Sequence, residues 1–311
     1  MSSAWLFPGQ GSHSVAMLDA WAALSPVVRA TLAEADDALA FPMSKLIAEG
    51  PGETLNDTYN QQPALVVAGV AIARALREGG LASEPAFLAG HSVGEFAALI
   101  VAGALSFEDG LRLVRERARL MAEAGVAQPG GMAAILGLDT AAVQAVCDAT
   151  DGVQVANDNA PGQVVISGTR EAVDQASQVL RDAGAKRIIP VRITVAAHSD
   201  LMTPAAEAFE KVLDEVSFSD PRIPVVGNVE AEPLTTGEAV LDELRRQLTS
   251  GVHWTGTIER MLAEGVETFA EVGPGRVLGG LVKRVSRAHG AQVDILSWAE
   301  PPTTAQGGNH G

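Results

Sequence analysis

A chain of 311 residues, 47% hydrophobic and 19% charged, can bury a sizeable core as one large domain or as a large domain carrying a smaller one. The net charge of −16 repels phosphate backbones and excludes nucleic acid as a partner, and the single Cys147 excludes an intrachain disulfide framework. No basic start with an apolar run behind it, and no apolar stretch of about 18 residues, points to a signal peptide or a membrane span, so a soluble, cytoplasmic protein is expected.

Short apolar runs alternate with longer amphipathic ones, the pattern of an α/β architecture. A buried strand is expected over residues 4–7, ending in the turn Pro8-Gly9-Gln10-Gly11-Ser12. A helix is expected over 63–78 with Pro63 in its first turn. A strand over 86–89 leads into a helix over 94–102, and a second helix covers 107–124. From Met132 the rhythm changes: strand 132–138, helix 140–148 with a threonine cap, and strand 153–157. A turn at Asn159-Ala160-Pro161-Gly162 leads to strand 164–167, helix 170–183 and strand 186–191. That β-α-β-β-α-β order is the ferredoxin-like split motif. It is assigned to residues 127–194, a small domain inserted between residues 1–126 and 195–300 of a larger one. Strands over 224–229 and 268–272 and helices over 238–248 and 254–264 complete the expectation. Residues 301–311, rich in Pro, Gly, Thr and Asn, read as a disordered tail.

The most informative segment is Gly90-His91-Ser92-Val93-Gly94-Glu95, a G-x-S-x-G between an expected strand and an expected helix. A serine on so tight a turn projects its hydroxyl above the sheet, and flanking glycines let the backbone close. The N–H groups opening the next helix can stabilise an oxyanion. Ser92 is therefore the expected nucleophile, and it needs a base, usually histidine. Of six histidines, His310 lies in the tail and His289 follows a basic helix end; both are expected in solvent. His91 adjoins Ser92, but consecutive side chains diverge. Composition leaves His13, His198 and His253 open. Three arginines, Arg115, Arg117 and Arg119, share one helix at i, i+2 and i+4; they cannot all face one way, so one can turn inward while the others meet solvent.

Several segments resemble malonyl-CoA:acyl carrier protein transacylases: Gly90-His91-Ser92-Val93-Gly94-Glu95, Phe7-Pro8-Gly9-Gln10-Gly11-Ser12, Gln62-Pro63-Ala64 and Glu271-Val272-Gly273-Pro274-Gly275. So do the stretch from Asn159-Ala160-Pro161-Gly162 to Ser167-Gly168 and the segment Val225-Val226-Gly227-Asn228-Val229. The resemblance implies an α/β-hydrolase-like large domain with an inserted ferredoxin-like small domain. It puts the base on His198, oriented by a carbonyl of Gln247, and the oxyanion donors on the N–H groups of Val93 and Gln10. It puts the malonyl carboxylate on Arg117 and places Gln62, His91 and Asn159 at the substrate, leaving Arg115 and Arg119 on a solvated face.

The implied activity is transfer of a malonyl group from malonyl-CoA to acyl carrier protein through a malonyl-serine ester. It needs no metal and no bound cofactor, and coenzyme A enters as the substrate thioester. A monomer with no membrane partner is expected. The acidic surface disfavours an acidic carrier, so docking needs a local basic patch; Arg181, Lys186, Arg187 and Arg192 could supply one, or form a solvated face. Two departures stand out. Modular relatives selecting malonyl often carry Phe before the histidine, where this chain has Ala196-Ala197, and His13 stands where many relatives carry Gln. The rival functions are a thioester hydrolase with the same Ser-His pair, an acyltransferase of polyketide or malonate metabolism, and a non-catalytic carrier-binding scaffold.

Overall fold

The structure, a computed structural model, describes residues 2–191 and 195–302. In chain order it opens with β1 (Ser2–Phe7), α1 (Asp19–Leu24), α2 (Pro26–Leu39), α3 (Met43–Glu49), α4 (Gly52–Asn56) and α5 (Thr58–Glu78). There follow β2 (Phe87–Gly90), α6 (Gly94–Ala102), α7 (Phe107–Ala127), β3 (Gly130–Leu136) and α8 (Thr140–Asp148). Next come β4 (Val153–Ala160), β5 (Gln163–Thr169), α9 (Arg170–Asp182), β6 (Arg187–Pro190) and α10 (Thr203–Leu213). The chain ends with β7 (Val225–Val226), β8 (Pro233–Leu234), α11 (Gly237–Arg246), α12 (Trp254–Ala263), β9 (Val266–Glu271), α13 (Val277–Ala288) and β10 (Asp294–Ser297).

The larger sheet has the order β10-β9-β1-β2-β7-β8 and is parallel except for β8. Its inner strands read as continuous apolar runs because helices cover both faces. Alternate residues divide between those faces: Trp5, Phe7, Leu88, Val225 and Ala270 join the core with α2, α5, α6, α7 and α10. Ala4, Leu6, Ala89, Val226 and Phe269 pack against α12 and α13. In register, Phe7 of β1 lies beside Gly90 of β2, so the segments following both strands emerge together at the carboxyl edge of the sheet. The second sheet is antiparallel, with the order β4-β5-β3-β6. Its Ala133, Ile135, Val164 and Ile166 pack under α8 and α9. Strand β4 is tied to the segment before α12, where Asp158 donates its N–H to the Val252 carbonyl (2.9 Å) and Val252 donates to the Ala156 carbonyl (2.8 Å).

The element types match the sequence expectation, with informative exceptions. Pro63 sits inside α5 rather than in its first turn, because Asp57 caps the helix five residues earlier than expected. The Tyr59 carbonyl that Pro63 cannot satisfy lies 3.5 Å from a guanidinium nitrogen of Arg115. Strand β4 runs on to Ala160, since Ala160 still pairs with Gln163, so Asn159 is a strand residue and the turn is Pro161-Gly162 alone. The expected strand over 224–229 stops after Val226. The N–H groups of Asn228 and Val229 are taken by carboxylates, which removes them from any ladder. The sequence pattern assigns no element to α1–α4, α10, β8 or β10, and of α13 it marks only the basic end before His289. Arg192 of the candidate basic patch, and His310 with most of the expected tail, lie outside the described residues. Arg181, Lys186 and Arg187 are exposed.

Candidate active site

The turn between β2 and α6 bends through Ser92, whose φ of 52° lies in the left-handed region. Such a conformation costs a non-glycine residue about 1–3 kcal/mol and persists only where its surroundings enforce it. Both flanking glycines are enforced by contact. A Cβ on Gly90 would stand 2.0 Å from the backbone carbon of Gly94, and one on Gly94 would stand 2.2 Å from the Phe7 oxygen. His198 is the second strained residue, at φ 59°. The two meet: Ser92 Oγ lies 2.8 Å from His198 Nε2.

The other ring nitrogen fixes the tautomer. His198 Nδ1 faces two backbone carbonyls, Gln247 at 3.0 Å and Ser250 at 3.1 Å, which can only accept. Nδ1 therefore carries the proton, and Nε2 accepts from the serine hydroxyl. The orienting carbonyl expected from Gln247 is the backbone one. Burial, reinforced by the charge of Arg117, pushes the His198 pKa down to about 3. The imidazole is thus neutral at neutral pH and ready to take a proton.

Behind the serine lies a buried polar layer. Arg117 is 1% exposed. Its Nε donates to Gln247 Oε1 (3.1 Å), its Nη1 to Gln62 Oε1 (2.5 Å) and its Nη2 to Ser92 Oγ (3.3 Å). Of the five N–H groups of a guanidinium, two are left with no partner among the described residues. Burial pushes its pKa down to about 10, opposed by nearby Glu95. Gln247 also donates from Nε2 to Glu95 and to the Ser92 carbonyl (3.3 Å). Glu95 is held well above the usual carboxylate range, first by burial and then by the charge of Glu243.

The mouth of the site is a cavity of about 140 Å³ lined by Gln10, His91, Ser92, Met132, Asn157, Val165, Val191, Ala197 and His198. Neither the Val93 nor the Gln10 backbone N–H has a hydrogen-bond acceptor among the described residues. The Gln10 side chain is tied to Thr58 (3.0 Å) and Gln61 (2.6 Å). His13 bonds Gln61 and Asn56 on the same rim. His91 Nε2 donates to Asn159 Oδ1 at 2.7 Å, so these two expected substrate contacts face each other. Burial lowers the His91 pKa. Of the alanine pair, Ala197 lines the cavity while Ala196 is buried against Gly130. His253 stands at the N-cap position of α12 with no side-chain cap bond, and His289 pairs with Glu259 in solvent.

The structure thus gathers Ser92, His198, Gln247, Arg117 and Gln62 into one bonded set. Arg115 corrects the expectation: it is half-buried and stacked on Tyr59 and Phe41, with its guanidinium carbon 4.1 Å and 4.8 Å from the ring centres. The sequence reading missed Asn157, Glu95 and Glu243, and assigned no role to Asn228. Glu95 closes the G-x-S-x-G segment and Asn228 lies in Val225-Val226-Gly227-Asn228-Val229, whereas Glu243 carries no signal in an otherwise surface-like helix.

A strained serine bonded to a neutral histidine, at the carboxyl edge of a parallel sheet, is the chemistry of a serine-nucleophile acyl enzyme. The chain belongs to the acyl transferase domain family, whose pattern matches residues 4–302. It is 46% identical over 285 residues to the malonyl CoA-acyl carrier protein transacylase of Escherichia coli (strain K12), covering 91% of this chain and 92% of that one. An acyl carrier protein S-malonyltransferase from Vibrio cholerae is a structural neighbour with TM-score 0.91 and 43% identity, covering 96% of each chain. A malonyl-transacylase solved in complex with a type II PKS acyl-carrier protein has TM-score 0.91 and 41% identity, covering 97% of each.

Proposed function

We propose that this chain transfers a malonyl group from malonyl-CoA to the phosphopantetheine thiol of an acyl carrier protein, through a malonyl ester on Ser92. One observation carries the reading: a single oxygen, Ser92 Oγ, has a neutral imidazole 2.8 Å away and a buried guanidinium 3.3 Å away. The first serves nucleophilic attack; the second suits an acyl group that ends in a carboxylate.

In this reading Ser92 Oγ attacks the thioester carbon as its proton passes to His198 Nε2. The N–H groups of Val93 and Gln10 receive the oxyanion. Collapse expels the coenzyme A thiolate, which takes the proton from His198. The carrier thiol then gives its proton to His198, attacks the ester, and Ser92 leaves reprotonated. Every step moves an acyl group or a proton, so the reading calls for no bound metal or cofactor. Gln62 and Gln247 hold the guanidinium, and His91 and Asn159 border the substrate.

The larger sheet and its helices read as an α/β-hydrolase-like domain, residues 1–126 and 195–300. The β-α-β-β-α-β unit with sheet order β4-β5-β3-β6 reads as a ferredoxin-like domain, residues 127–194. The reading includes a monomer placed in the cytoplasm. The carrier would serve fatty acid or polyketide synthesis. The test is a transfer assay with malonyl-CoA and holo carrier protein, set against decay of the malonyl-enzyme in water. Fast transfer and slow decay are expected; decay as fast as transfer would make the protein a hydrolase.

A further inference from the structure

The segment Val225-Val226-Gly227-Asn228-Val229 has no part in the chemistry above, yet its asparagine is 1% exposed and bonded to the nucleophile turn on both sides. Ser92 donates its backbone N–H to Asn228 Oδ1 at 2.7 Å. Asn228 Nδ2 donates to the Gly90 carbonyl at 2.8 Å and to Glu95 Oε1 at 3.0 Å. The backbone N–H of Asn228 is itself shared between Glu95 (3.0 Å) and Glu243 (2.7 Å).

We propose that Asn228 is a positioning residue for the nucleophile, its carboxamide clasping both sides of the Ser92 turn in the geometry that delivers the hydroxyl to His198. The inference rests on the reading of Ser92 as the acylated residue. Ser92 is a non-glycine residue held left-handed, and the turn needs outside bonds to stay so. A neutral amide supplies at one place the acceptor for Ser92 N–H and the donors for Gly90 and Glu95. Occupying the Ser92 N–H also leaves the next N–H, that of Val93, as the one facing no acceptor among the described residues. The charged or titratable groups around Asn228 are Glu95 from α6, Glu243 from α11 and His253, whose backbone N–H donates to the Asn228 carbonyl, with His198 across Ser92, Arg117 of α7 beyond Gln247, and Arg246 acting on Glu243.

An aspartate at this position separates positioning from mere filling of space. Protonated, it keeps an acceptor for Ser92 and one donor; ionised, it turns lone pairs toward the Gly90 carbonyl and Glu95. The experiment measures the rate of Ser92 acylation by malonyl-CoA, by quenched-flow intact mass, for wild type, N228A and N228D across pH. In N228A the acylation rate should fall on the order of 100-fold, as for a misplacement near 1 Å, with the KM for malonyl-CoA nearly unchanged. The N228D to wild-type rate ratio should fall steadily from about pH 6 to about pH 9 as the aspartate ionises. N228A acylating as fast as wild type, a loss confined to KM, or an N228D ratio flat with pH would each overturn the assignment. Should N228A fail to fold, the N228D trend decides. A wild-type enzyme that leaves Ser92 unacylated would strike the transferase reading instead.

Discussion

Two arginines two positions apart on α7, Arg117 and Arg119, meet opposite surroundings. Arg119 lies on the outer face, about half exposed, bonded to Glu116 and to Glu123 (2.5 Å). Those carboxylates raise its pKa. Arg117 faces inward, bonded to two neutral amides and a serine hydroxyl, with burial lowering its pKa. The outer charge is already answered by two carboxylates; the inner one has no carboxylate among its hydrogen-bond partners. Burying a charge without an ionic partner is costly. Such a charge is therefore poised to gain from a ligand carboxylate, whereas Arg119 would have to give up partners to do so. Position relative to the core, not residue type, separates the two arginines, and it is the basis for proposing Arg117 as the carboxylate partner.

The largest effect that could break this comparison lies at His198, the proposed base. His198→Ala should lower acylation by about 10²–10⁴-fold in stopped-flow or quenched-flow assays. With His198 intact, a pKa held near 3 keeps the imidazole neutral as pH falls through the ordinary histidine range. The kcat/KM for malonyl-CoA should therefore stay level from about pH 7.5 to about pH 5.5. An acid limb centred near 6.5 would mean the imidazole is far less buried than the structure has it.

Arg117→Ala sharpens the contrast directly. Truncating one partner of a buried charge-assisted contact costs about 2–5 kcal/mol, so malonyl transfer should fall about 30-fold or more while acetyl transfer falls much less. Equal losses for the two acyl groups would remove Arg117 from carboxylate recognition and leave it as a neighbour of Ser92. The smallest effect belongs to Arg119→Ala. Exposed ion pairs contribute little, so the melting temperature should move by no more than about 2 °C, with transfer rates unchanged.

How much of this was legible in the sequence follows from where each signal sits. The G-x-S-x-G turn declares itself because its glycines are demanded by backbone contact at Gly90 and Gly94, a constraint local in sequence. Element types followed from the rhythm of short apolar runs and longer amphipathic stretches; Trp5 and Leu6 face opposite sides of one strand and are both buried. His198 could not be separated from His13 and His253 by residue pattern and needed the family resemblance. Glu243 escaped notice because α11 reads as a surface helix; its burial arises only where β7 stops and turns its N–H groups toward the carboxylate. Arg115 misled for a related reason, since the rings it stacks on come from the α2–α3 connection and α5, far along the chain.

The central claim, that Ser92 carries the acyl group, is tested most directly by intact mass after brief exposure to malonyl-CoA without carrier protein. Wild type should gain the mass of one malonyl group, mapped by peptide digestion to Ser92 and discharged on adding holo carrier, while Ser92→Ala should gain nothing. A malonyl adduct of equal yield on the Ser92→Ala protein would contradict the account.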